Sequence, residues 1–134
     1  MAFDDTFKIS VHGVFTDSKS HVLQLRQTYG DLSWGLPGGA VDPGETVLQT
    51  LRRECREEIG CEIIVGPLTG IYLHTRFNSH AMLFRCYLKE DSKIKLSSEH
   101  LDWKYFPLEE LSKVQRQRIT DCLNYDGNLN SAIF

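Results

Sequence analysis

Residues 39–61 read GAVDPGETVLQTLRRECREEIGC, a Gly/Pro-rich turn running into a segment of helical periodicity. Val47, Leu48, Leu51, Cys55 and Ile59 form one apolar stripe, with the charged residues opposite. Thr46 and Gln49 have the spacing of a capping box, which predicts a helix starting just after Thr46. Gly60 stands where a left-handed C-terminal cap falls. Such a helix packs one face on a core and presents the other to solvent.

On that second face Glu54, Glu57 and Glu58 are spaced by three and four, so at 3.6 residues per turn the carboxylates share one side. Like charges at this spacing repel. A divalent cation relieves the repulsion, and an all-oxygen ligand set suits a hard ion such as Mg2+. A solvated acidic face has the same spacing. Two features favour the metal reading: Arg53 pairs with Glu57 one turn on, and the segment is entered through Leu36-Pro37-Gly38-Gly39, whose glycines let backbone approach a ligand closely.

Gly39, Glu45, Arg53, Glu54, Glu57, Glu58 and Gly60, in that spacing, resemble the complete box of the Nudix hydrolases; Cys55 and Cys61 occupy its apolar places. At residue frequencies near 7 %, matches at the polar and glycine positions arise on the order of once in 10^8 starts by chance. Trp34-Gly35-Leu36-Pro37-Gly38 before the box is similar too, and Trp103 and Pro107–Leu111 resemble the family more loosely. The resemblance implies an α/β/α sandwich and hydrolysis of a nucleoside diphosphate linked to another moiety. It implies Mg2+ as cofactor, with Mn2+ as a substitute. By motif position Glu58 is a main metal ligand, Glu54 and Glu57 bind metal or act on the attacking water, and the Gly38 carbonyl is a further ligand. Arg53 orients the carboxylates and Glu45 ties loop to helix. The general base is a box glutamate or an acidic residue on a later loop, for which Glu99 is the best candidate, ahead of Asp102.

Composition bounds the alternatives. A chain of 134 residues suits one domain with a single core. A formal charge of −3 argues against an extended nucleic-acid surface, while a nucleotide in one pocket remains compatible. No signal peptide or membrane span is visible, and Cys55, Cys61, Cys86 and Cys122 have no metal-ligand spacing. Reduced core thiols and a cytoplasmic enzyme fit this pattern.

Along the chain, strands are predicted over 7–15, 21–27, 61–65, 70–74, 82–88 and 101–106, with Gly66-Pro67 dividing the third from the fourth. Apolar residues at 108, 111, 114, 119, 122 and 123 predict an amphipathic helix over 108–123, and 126–134 has no clear assignment. These elements favour one mixed sheet between helices, an α/β/α sandwich.

Substrate selection lies outside the box. Arg26 is a candidate phosphate partner or an edge-strand charge, and Tyr72, His74, Arg76 and Phe77 are candidates for a base or sugar pocket. A metal role for His74 and His80 lacks supporting ligand spacing. Markers of the ADP-ribose, dinucleoside-polyphosphate and coenzyme A subgroups are not recognisable, which leaves a nucleoside triphosphate or related nucleotide, as in the MutT-like members. The resemblance admits a homodimer. Two other readings are a non-catalytic sensor on the same fold and a prenyl-diphosphate isomerase. The full carboxylate set argues against the first, and the apolar context of Cys86 against the second.

Overall fold

The computed structural model describes residues 2–134. In chain order its strands and α-helices are β1 (Lys8–Val14), β2 (Val22–Gln27), β3 (Trp34–Gly35), β4 (Gly38–Ala40), α1 (Val47–Ile59), β5 (Ile63–His74), β6 (Ser79–Leu88), β7 (His100–Phe106), α2 (Lys113–Leu123) and β8 (Asn130–Ile133). A five-stranded mixed sheet runs β4-β1-β6-β5-β8, with β1–β6 and β5–β8 parallel. A smaller antiparallel sheet, β3-β2-β7, stands beside it.

Strand alternation sends neighbouring residues to opposite faces, and each face carries one helix. On one side Val11, Phe84 and Cys86 pack with Leu51, Cys55 and Ile59 of α1, joined by Leu23 and Leu25 of β2. On the other, Val14, Tyr72, Ala81 and Leu83 pack with Ile119 and Cys122 of α2. The result is the expected α/β/α sandwich. Full burial of an aliphatic side chain such as Leu51 or Ile59 contributes about 1.5–3 kcal/mol.

Helix α1 starts and stops where its residues dictate. Thr46 Oγ1 accepts from the Gln49 N–H at 3.1 Å while Gln49 Oε1 accepts from the Thr46 N–H at 2.9 Å. Gly60 closes the helix at φ 66°, its N–H donating to the Arg56 carbonyl.

Four expectations change. The strands over 61–65 and 70–74 are one strand, β5: Gly66-Pro67 sits where the β5–β6 register shifts, so proline's missing N–H falls in an irregularity of the ladder. The late helix begins at Lys113 rather than 108. Leu108–Glu110 form a 3-10 turn and Ser112 caps α2 by accepting from the Gln115 N–H. The apolar period runs across this break because Leu108 and Leu111 pack in the same cluster as Ile119 and Cys122. The unassigned tail contains β8, anchored where Asn130 Nδ2 donates to the Thr69 carbonyl at 2.9 Å. Lastly, β2 and β7 leave the main sheet and form the second one with β3. The four cysteines are free and buried, and among the described residues no helix is long and apolar enough to cross a membrane.

Candidate active site

Gly38 and Gly39 lie on β4, which pairs with β1 so that Gly38 faces His12. Gly38 has φ +142°, and a Cβ there would fall 2.0 Å from the Val11 carbonyl oxygen. A Cβ on Gly39 would lie 2.9 Å from the Glu54 carboxyl carbon. Side-chain-free backbone at these two positions therefore lets the acidic face of α1 seat directly on β4.

Glu58, 5 % exposed, is the innermost carboxyl group. Its Oε1 accepts from the Gly38 N–H at 3.0 Å, and its Oε2 is 3.7 Å from His100 Nε2. Burial pushes its pKa up to about 8; the Gly38 bond works against this, and the charges of Glu54 and Glu99 add to it. His100 is itself held below its ordinary value by burial, so this contact is not a strong ion pair near neutral pH. Burial also raises Glu54, with Glu57 and Glu99 contributing.

Arg53 organises the approach to this group. Its guanidinium donates to both Glu45 oxygens at 2.9 Å, to Asp42 at 3.1 Å, and to Glu54 and Glu57 at 3.2 Å each. Thr50 Oγ1 also donates to Glu45, at 3.0 Å. The Arg53 hydrogen bond is the main reason the Glu45 carboxyl is held below its usual range. Loop 42–45 and helix α1 are thereby tied through one side chain.

Glu54, Glu58, Glu99, Gly38 and Gly39 line a cleft of about 610 Å3. Among the described residues, no three His, Cys, Asp or Glu side chains converge at metal-ligand spacing. Arg53 draws Glu54 and Glu57 outward while Gly38 holds Glu58. The donor set nonetheless fits a hard divalent cation: it is all oxygen, and Glu54, Glu58 and Glu99 each add to the repulsion within the group. Added positive charge is what such a group lacks.

His74 and Phe77 also line the cleft. Other candidates are placed elsewhere. Tyr72 is fully buried in the α2-side core, its hydroxyl donating to Asp121 at 2.9 Å, so it is a packing residue and not a pocket wall. Arg26 lies outside the cleft and donates to the Leu32 carbonyl at 3.3 Å; β2 is the middle strand of its sheet and pairs Arg26 with Trp34 on β3 and Asp102 on β7, so the edge-strand reading does not hold either. Arg76 stacks over Phe77, its guanidinium carbon 5.4 Å from the ring centroid, and also lies outside the cleft. Glu57 is more than half exposed at the outer edge, paired with Arg53. Glu99 lines the cleft, its carbonyl accepting from the N–H and hydroxyl of Thr28 at 3.1 Å; Asp102 does not line it.

The sequence reading missed His12, His100, Gln115 and Arg118, all cleft residues. His12 alternates with Val11 and Gly13 on β1, a signal for the opposite face; Gln115 and Arg118 lie one turn apart on α2, and nothing in their local sequence marks either as facing a cleft.

Comparison with known proteins bears on the family and the fold. The NUDIX domain family model matches residues 6–122. A MutT-like protein of Streptomyces ambofaciens is 36 % identical over 78 residues, covering 58 % of this chain and 50 % of that protein. The nucleoside triphosphatase NudI of Salmonella arizonae is 50 % identical over 36 residues, covering 27 % of this chain and 26 % of that protein. The matched segments thus span half of the first relative and about a quarter of the second. An ADP-ribose pyrophosphatase from Streptococcus suis superposes with a TM-score of 0.76 at 19 % identity, covering 96 % of this chain and all of that one, a likeness of fold.

Proposed function

The chain belongs to the NUDIX family, and on that premise we propose that it is a Mg2+-dependent hydrolase of a phosphoanhydride in a nucleoside diphosphate derivative. A nucleoside triphosphate or related nucleotide is the proposed substrate class. The observation that carries this reading is the gathering of Glu54, Glu58 and Glu99 beside the Gly38-Gly39 backbone at one side of a nucleotide-sized cleft.

Glu58, Glu54 and the Gly38 carbonyl are the proposed metal ligands, with Glu57 joining from the outer edge. A divalent cation there, Mg2+ or in its place Mn2+, neutralises phosphate oxygens and lowers the pKa of a water. Arg53 acts as a positioning residue: it ties Glu54 of the cleft wall and Glu57 of the outer edge to one guanidinium and fixes the loop through Glu45. Glu99 is the proposed general base, taking a proton from the attacking water as its oxygen bonds to phosphorus and the bridging P–O bond breaks. The four buried free thiols accord with a cytoplasmic setting.

The test is product release from canonical and oxidised triphosphates, nucleotide sugars, dinucleoside polyphosphates and ADP-ribose, with Mg2+ or with EDTA. Metal-dependent turnover of one class supports the hydrolase and identifies the class. Silence across the panel, with metal still bound, points instead to a sensor.

A further inference from the structure

The cleft has a second polar end, formed by α2. Arg118 is 7 % exposed yet lines the cleft. One guanidinium nitrogen, Nη1, lies 3.0 Å from His74 Nε2, and Nη2 donates to Gln115 Oε1 at 2.5 Å. Its Nε is buried and has no hydrogen-bond partner. Among the described residues no carboxylate forms an ion pair with it; Asp121, one turn on along α2, accepts from the Tyr72 hydroxyl. Burial pulls Arg118 down to about 10, which leaves it charged at neutral pH. A buried cation without a counter-charge is costly unless a ligand satisfies it.

The surroundings narrow what that ligand is. Leu36, Ala81 and Phe77 supply apolar and aromatic wall, and the neighbouring imidazoles of His12 and His74 are both held below their ordinary value by burial. One guanidinium beside neutral rings is poor compensation for a doubly charged phosphate. It suits a flat, neutral group with acceptors on its edge. Five N–H groups and no acceptor belong to Arg, and with its oxygen taken by Arg118, Gln115 has only its amide hydrogens left to offer.

We propose that Arg118, supported by Gln115, reads the carbonyl-bearing edge of a nucleobase, so that guanine, uracil or thymine is accepted in preference to adenine. The proposal rests on the nucleotide-hydrolase reading for the placement of the phosphates on the glutamate end. Adenine presents an amino donor at the edge where guanine and uracil present oxygen, and would meet donor with donor.

Nucleosides test this apart from hydrolysis, since they contain no anhydride. Guanosine, uridine and adenosine are titrated into wild type, Arg118→Met and Arg118→Lys, with urea midpoints as the folding control. Wild type should bind guanosine, whose O6 and N7 accept at two points, about tenfold or more tighter than adenosine, and uridine, with O4 as one acceptor on that edge, by a smaller margin. Arg118→Met should erase this preference while leaving adenosine within about threefold, and Arg118→Lys, which keeps charge but loses the fork, should erase most of it. Equal or tighter binding of adenosine to wild type overturns the proposal, as does equal weakening of every nucleoside in Arg118→Met. A shift of the Arg118 guanidinium NMR signal by inorganic phosphate and not by nucleosides also overturns it, in favour of a phosphate subsite. Base preference without turnover would instead overturn the hydrolase reading and leave this one standing.

Discussion

The two ends of the cleft are built by different rules. Apart from Glu99, the glutamate end comes from one helix and the turn before it, so those parts are separated by at most twenty residues, as in the Gly38–Glu58 hydrogen bond. The α2 end gathers His12, His74, Gln115 and Arg118 from β1, β5 and α2, and the Arg118–His74 contact spans 44 residues. Local periodicity reports the first kind of site and is blind to the second. The contrast extends to charge: the glutamate end crowds carboxyl groups, with one guanidinium, Arg53, towards its outer edge, whereas the α2 end buries a guanidinium that has no carboxylate partner. A nucleotide and its metal ion complement both at once.

The sharpest way to break this contrast is Glu58→Gln, which keeps the shape and the Gly38 contact but removes the carboxyl group that would ionise against a bound cation. Turnover should fall at least about a hundredfold, the upper range seen for losing even an outer-shell metal partner. Wild-type turnover, measured as initial rate under saturating Mg2+, would remove Glu58 from the metal set. Next comes Gly38→Ala. With a Cβ 2.0 Å from the Val11 carbonyl and a φ of +142°, backbone must shift, and urea unfolding should show a loss of about 3 kcal/mol or more. Unchanged stability would mean that α1 and β4 do not need this close seat.

A third prediction concerns acid and the α2 end. Burial depresses His12 from its ordinary 6.5 to about 3, helped by the charge of Arg118. Between those values the unfolded chain takes up a proton that the folded chain refuses. The stability that this imidazole contributes is therefore full above pH 6.5 and is lost as pH falls towards 3, with a limiting slope of about 1.4 kcal/mol per pH unit. Glu58, raised above its ordinary value, gives a slope of opposite sign, so the quantity to measure is the difference between wild type and His12→Gln in urea melts across pH 4–7. His12→Gln should lose less stability on acidification; parallel curves would show that His12 titrates normally in the fold. The smallest effect is expected from Arg26→Ala, whose side chain lies outside the cleft. Its kcat/KM should stay within about twofold of wild type, as for surface changes generally. A large rise in KM would restore it to the substrate site.

How legible the molecule was follows the same division. The capping box at Thr46, the Gly60 cap and the Leu51–Cys55–Ile59 stripe announced α1 with its limits, because each depends on neighbours within one or two turns. The sandwich was legible through strand alternation. Strand β8 was not, since Asn130–Ile133 acquires its strand character from pairing with β5, 60 residues earlier in the chain. Tyr72 looked like a pocket aromatic by composition, but alternation on β5 turns it into the α2-side core. Arg118 was missed because arginine on a helix is ordinarily solvated; only the placement of β5 and β1 against α2 shows it buried beside His74 and His12.

The central claim, that the glutamate end holds a divalent cation, is tested most directly by titrating Mn2+ into the protein and following free Mn2+ by electron paramagnetic resonance. Wild type should deplete the free signal and release the ion to competing Mg2+, while Glu58→Gln and Glu54→Gln should each weaken uptake by about tenfold or more. Equal Mn2+ uptake by wild type and both variants, or none by wild type, would contradict the account.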